Sequence, residues 1–219
     1  AAGLAAGFLA LDNATEEYRT AQGKLNTAYE AAGYSARTAS TAYREFYKIL
    51  GDTDTATEAS QLLAKLTRSE QDVTRWTRIA AGVSGTFGDS LPIEGLIEAT
   101  NETAKTAKVT GVLADALNWV GISEDDFNKR LERCSGEAER NKLLMDTLTT
   151  AYEGAADAFY RNNEELVRAR ANQAAVSAVT AKLGSAAQTA KGWIWQLLGA
   201  QEDGSLRAGS ALDWLGQRA

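Results

Sequence analysis

The sequence predicts an all-α protein: several short capped helices forming a helical domain, followed by a long C-terminal helix. Three observations predict it. There is one proline in 219 residues, and proline is the residue least compatible with a helix interior. Leucines recur at spacings of three and four rather than in alternation. Clusters of Val, Ile, Tyr and Phe that would mark strands are scarce. A chain of this length can bury a real core and makes one or two domains.

The elements are expected in the following order. The first eleven residues, AAGLAAGFLAL, are small and uncharged. They read as the buried face of a first helix or as the tail of a longer apolar segment. The lack of a basic start and a cleavage site favours the helix over a signal peptide. The chain begins at Ala1 rather than Met, as a fragment or a processed product would. A first helix is expected over Asp12–Ala32, capped by Asp12 or Asn13 and stopped at Gly33. A second covers Ser35–Leu50 and ends at Gly51.

A third is expected from Asp54 or Thr55 to Ala80. Its seam, Ala59, Leu62, Leu66, Ser69, Val73, Trp76 and Ala80, alternates three and four over three heptads with one polar interruption. Asp52, Asp54 and Glu58 at its start and Arg75 and Arg78 at its end complement the helix dipole. A core helix of an α-domain explains the seam better than a coiled coil with a partner chain, which needs a longer repeat.

Gly88 and Pro92 bracket a turn, with Pro92 at the first helical position, where no N–H is needed. Short helices follow over Ile93–Lys108, Val109–Val120 and Glu124–Arg133, punctuated by Gly111 and Gly121. Ser123 caps the last of them, with Glu124, Asp125 and Asp126 at its positive end. Connections this short fold neighbouring helices back on one another. From Ser135 a long pattern runs through Leu144, Leu148, Ala151, Ala155 and Phe159, with a soft point at Asn162 and Asn163. It continues through Val176, Val179, Leu183, Ala187, Ala190 and Ile194. Unbroken, residues 135–191 would reach about 85 Å at about 1.5 Å per residue. The final GWIWQLLG and SALDWLGQ are divided by glycines at 192, 199, 204, 209 and 216. Three regions result: N-terminal helices over 1–50, a helical domain over 51–165, and an alanine-rich extension with a Trp-bearing end over 166–219.

Composition offers little for catalysis. There is no histidine, the commonest general base near neutral pH and the commonest metal ligand. Cys134, the single cysteine, has no histidine to activate it and reads as a partly buried residue at a helix boundary. One cysteine makes no internal disulfide, which suits a reducing compartment or a particle assembled there. DTDTATE at Asp52–Glu58 fails as a calcium loop, because Thr57 and Leu63 stand where Gly and an acid are required; helix capping accounts for its acids. Glu124, Asp125 and Asp126 point about 100° apart in turn and do not converge on one substrate. No phosphate-cradling Gly-rich loop appears, so no catalytic, cofactor-binding or metal-binding residue is assigned. No apolar run is long enough to span a bilayer as one helix.

The net charge of −6 argues against a general nucleic-acid surface. Residues 166–201 nevertheless hold Arg168, Arg170, Lys182 and Lys191 and no acid, a segment charge of +4 that leaves −10 for the rest. Such a segment, with Trp193 and Trp195, could touch DNA or an anionic membrane. On a helical wheel, however, the four bases fall near about 0°, 200°, 320° and 140°, which is not a stripe. A sparsely charged helix packing by its Val176–Ile194 seam is the better account.

The run LPIEGLIEA, then TGVLADALNWVGIS, then the DDFNKRL…C…EAER ending, resembles the helical region of tailed-bacteriophage tape measure proteins. Upstream, GFLALDNATEEYR and YREFYKILGDTDTATEA are similar to what precedes that region, so the resemblance covers residues 5–165; beyond Asn172 it is compositional. It implies a structural virion protein of the tail lumen, made in the bacterial cytoplasm, that helps set tail length and leaves during genome ejection. The implied partners are other copies of itself, tail tube and tail tip proteins, and DNA or the host membrane during ejection, with no small-molecule substrate. The capped short helices between Gly51 and Ser135 would be a packing or assembly domain flanking the ruler, with the helix after Ser135 leading into the extended part. The rivals are a membrane-active ejection module, using Ala1–Leu11 and Trp193–Leu198, and a helical scaffold unrelated to phages.

Overall fold

The computed structural model describes the backbone of residues 2–67 and 69–198, and side chains chiefly over 18–67 and 69–182. Nine α-helices and no strand occur among the described residues. The all-α expectation therefore holds. In order they are α1 (Ala2–Ala31), α2 (Ala36–Leu50), α3 (Thr53–Leu66), α4 (Glu70–Phe87), α5 (Ile93–Thr106), α6 (Val112–Trp119), α7 (Glu124–Glu132), α8 (Glu137–Asn162) and α9 (Glu164–Leu198), with a single 3-10 turn at Gly88–Ser90. Residues 21–174 form one compact unit; residues up to Thr20 and from Ala175 onward form another. The expected boundaries at 50 and 165 fall inside the larger unit.

Local signals account for several helix ends. The Ser35 hydroxyl accepts from the Thr38 N–H at 3.2 Å, Asp52 Oδ1 from Thr55 N–H at 2.8 Å, and Ser123 Oγ from Asp126 N–H at 3.2 Å. Each satisfies a first-turn donor that the helix leaves unbonded. Gly51 and Gly121 take φ of +78° and +77° to end α2 and turn out of α6, a conformation glycine adopts without a Cβ clash. Pro92 sits one position earlier than expected, as the residue before α5.

Four expectations are corrected. The first helix has no cap at Asp12 or Asn13; it runs unbroken from Ala2. The third is two helices. Its polar interruption, Ser69, is the N-cap of α4, its hydroxyl accepting from Asp72 N–H at 3.2 Å, so no three-heptad coiled-coil seam exists. Ala59, Leu66, Val73, Trp76 and Ala80 are buried in the core of their own chain, as the core-helix reading of that seam expected. On α8 the buried stripe is Leu144, Leu148, Tyr152 and Ala156, so the seam turns onto Tyr152 and Ala156 where Ala151 and Ala155 were expected. Finally, Gly192 does not interrupt α9, which continues to Leu198; an internal glycine costs a helix only about 1 kcal/mol.

Val176 and Val179, expected on a packed seam, are 64% and 60% exposed. The side chains of Ala1–Leu11, Leu183, Ala187, Ala190, Lys191, Trp193, Ile194 and Trp195, and the segment after Leu198, lie outside the described residues.

Within residues 21–174, the most extensive helix interface is α4 against α8. Arg75 pairs with Asp146, Gly82 meets Tyr152, and Gly85 meets Phe159. Numbers rise together along both helices, so α4 and α8 run parallel. Parallel neighbours cannot be joined by a tight turn; α5, α6 and α7 supply the crossover. On the other side α2 packs on α3 and α4, and α3 on α5. Trp76, Tyr43, Phe46, Leu63, Ile79, Leu96 and Ile97 fill the space between them at 2% exposure or less. Each such side chain contributes about 1.5–3 kcal/mol by leaving water.

Candidate functional site

The feature that distinguishes this fold is the set of contacts that fix α8 and the start of α9 to the shorter helices. Close approach comes first. A Cβ at Gly82 would overlap the Tyr152 backbone carbonyl, and one at Gly85 would press on Phe159 Cβ at 3.2 Å. Gly82 and Gly85 let the α4 backbone sit directly on α8, which multiplies dispersion contacts along the crossing. The pair is flanked by charge. Arg75 donates to Asp146 at 2.6 Å and to Thr149 at 3.4 Å, and Arg78 to Asp157 at 2.6 Å. Arg75 and Arg78, read as complements to a helix dipole, act across the interface instead.

Two arginines from the long helices cap the C-termini of short ones. Arg140 on α8 donates through Nε to the Ala104 carbonyl and through a terminal nitrogen to Lys105 O at 3.2 Å, at the end of α5. Arg170 on α9 donates to Ile49 O and to Lys48 O, at the end of α2. Helix ends leave their last carbonyls unpaired and carry partial negative charge, so a cation there satisfies both demands. The Tyr152 hydroxyl, on α8, donates to Ala116 O of α6 at 2.7 Å. Asn128 Oδ1 of α7 accepts from the Val109 N–H at 2.7 Å, which ties down the loop between α5 and α6.

The groups flagged by sequence do not come together. Asp52 accepts from both the Thr55 backbone and hydroxyl, and those bonds hold its carboxyl below the usual range. Glu124, Asp125 and Asp126 are exposed in the first turn of α7. Asp126 is held low mainly by Lys129, whose ammonium lies 3.0 Å away. Cys134 is partly buried, its thiol donating to Arg130 O at 3.5 Å. Asp146 is held low by Lys142 and Arg75, and Glu139 by the Ser135 N–H and hydroxyl. Among the described residues, every carboxylate with a shifted titration is thus stabilised in its ionised form, the opposite of a general acid. Of the four bases in 166–201, Arg170 is the α2 cap, while Arg168 and Lys182 are exposed.

Open clefts border this framework. One of about 650 Å3 lies between the α6–α7 turn and α8, lined by Val120, Ile122, Arg130, Leu143, Thr147 and Ala151. Another, of about 360 Å3, lies where α2, α5 and the start of α9 meet, lined by Ile49, Pro92, Ile93, Glu94, Leu166 and Arg170 among others. No group of His, Cys, Asp and Glu suited to a metal occurs among the described residues. Nor is any described helix long and apolar enough to cross a membrane.

The sequence reading missed the glycine crossing because it ended the third helix at Ala80; the spacing of Ala81, Gly82 and Gly85 was the available signal. No local pattern announced the arginine caps. No family model, curated protein or solved structure matches the chain.

Proposed function

We propose that this chain is a structural segment of a tailed-phage tape measure protein, in which a folded helical region anchors extended helices that contribute to tail length. On this reading it lies in the tail lumen beside other copies of itself and the tail tube and tip proteins, and leaves during genome ejection. The observation that best supports the proposal is a division of labour among helices. Within the resembling stretch, Phe87–Leu131 makes the short helices α5–α7, of which α5 and α6 brace α8 through Ala104, Lys105 and Ala116. Beyond them, α8 and α9 hold 26 and 35 residues, or about 39 and 52 Å of rise, separated by Asn163 alone. A role in spacing and assembly needs length and anchorage, and these are what the residues supply. Ionised, capped carboxylates and a cysteine without a base fit the same reading.

Mass spectrometry of purified virions from the phage that encodes the chain tests it. Peptides from residues 18–182 should appear in intact tails and disappear from particles triggered to eject. Virions that lack those peptides throughout would contradict the assignment.

A further inference from the structure

The junction between α8 and α9 has neither Pro nor Gly to force it. Sharp helix breaks are normally found at Pro, at Gly, or where a side chain enters the hydrogen-bond ladder. Here the chain reads Arg161-Asn162-Asn163-Glu164-Glu165, with neither Pro nor Gly. The departure is confined to Asn163, at φ −121° and ψ 23°, about 60° from helical values in each dihedral. On both sides of it the α-type ladder persists: Asn163 N–H donates to Phe159 O at 2.9 Å, and Val167 N–H to Asn163 O at 2.9 Å. The Asn163 side chain adds a second donor to Phe159 O at 2.9 Å, a local bond that competes with regular helix.

Beside that local bond, the junction has a tertiary restraint. Seven residues on, Arg170 places its guanidinium on Lys48 O and Ile49 O, in the space that a Cβ of Gly51 would occupy. The apolar support around it is thin. Leu166, one turn earlier on the same face, is 44% exposed and borders the cleft of about 360 Å3, where contacts are lost for want of a neighbour. In that cleft Glu94 Oε2 is buried with no hydrogen-bond partner, while the arginine bonds the helix end.

We propose that Arg170 is a latch on a two-state helix. With the guanidinium on the α2 carbonyls, the chain stays bent at Asn163. When those bonds are lost, Asn163 takes helical dihedrals and residues 137–174 run as one helix, lifting the start of α9 off α2. The proposal concerns the isolated chain and stands whether or not the phage assignment is correct.

The test uses pulsed electron-spin distances in the full chain carrying Cys134→Ser. Spin labels on Asp54→Cys and Gln173→Cys report opening; labels on Glu153→Cys and Gln173→Cys report continuity of the helix. A third pair, Thr74→Cys and Thr150→Cys, monitors the α4–α8 interface. Arg170→Met keeps an apolar stem but removes the donors, and Gly51→Ala puts a methyl where the guanidinium sits. Both are expected to lengthen the 54–173 distance, to bring the 153–173 distance to a narrow band near about 30 Å, the rise of twenty helical residues, and to leave 74–150 unchanged. An unchanged 54–173 distance in both variants overturns the latch. So does a broad 153–173 distribution, which would mean fraying, or a 74–150 distance lost along with the others, which would make the contact part of the core.

Discussion

Gly82 on α4 and Tyr152 on α8 lie so close that one added methyl at position 82 would overlap the Tyr152 carbonyl oxygen. The obstacle is backbone, which cannot rotate aside as a side chain can. This crossing sets how deeply α8 beds into the folded region, and it ranks the glycines of the interface by what surrounds each one.

Gly82→Ala should cost about 1–3 kcal/mol, the usual penalty for overfilling a packed site. Gly85→Ala meets the Phe159 side chain at 3.2 Å, and the helix-propensity gain of about 1 kcal/mol offsets the small adjustment required, so stability should barely change. Gly154 on the open side of α8 has nothing within 4 Å. Gly154→Ala should stabilise by about 0.5–1 kcal/mol. Urea denaturation midpoints of the three variants give the order directly, and equal losses at 82 and 154 would contradict the close crossing.

Ser69 separates two accounts of the same residues. As the polar position of a coiled-coil seam, it should tolerate alanine or gain by it. As the N-cap of α4 it should lose about 1 kcal/mol on Ser69→Ala, because the Asp72 N–H loses its side-chain acceptor. Thermal unfolding of that variant, read beside Asp52→Ala at the start of α3, should show similar losses at both caps.

Stability should fall at both extremes of pH, for different reasons. Burial pushes the Tyr152 phenol up from 10.0 to about 12, and burial also raises Tyr29. A folded value above the unfolded one stabilises fully below pH 10 and is lost as pH climbs toward 12. Tyr152→Phe should flatten part of that alkaline decline. At neutral pH the variant costs about 1–2 kcal/mol, since the buried Ala116 carbonyl loses its donor. Asp52 and Asp146 are held below their ordinary 3.8, so their contribution is present above that value and lost as pH drops through the lower folded one. Because Arg75 and Asp146 are partly exposed, their pair adds under about 1 kcal/mol and should weaken in high salt. Denaturation midpoints across pH 2–12, for the parent chain and Tyr152→Phe, check both limbs.

Helix starts and stops were legible because their chemistry is local. Ser35, Asp52 and Ser123 bond donors three residues on, and Gly51 and Gly121 adopt left-handed backbone beside the helix they end. The break at Ser69 was hidden because apolar residues continue at helical spacing straight through it, and periodicity alone does not distinguish one long helix from two. Asn163 was visible as a soft point, yet the tertiary contact beside it, Arg170 on the end of α2, was not. That arginine and its acceptor Lys48 are 122 positions apart, and nothing in a window of sequence connects them. The same holds for Arg75 and Asp146, whose pairing exists only once α4 and α8 lie parallel.

The most direct test of the central claim is tail length. On the proposed tape measure reading, deleting the 35 residues of α9, Glu164–Leu198, in frame from the encoding gene removes about 52 Å of helical rise. Electron microscopy of the mutant should show tails shorter by roughly that amount, at about 1.5 Å per residue. Tails of unchanged length would contradict the claim that these helices contribute to measurement.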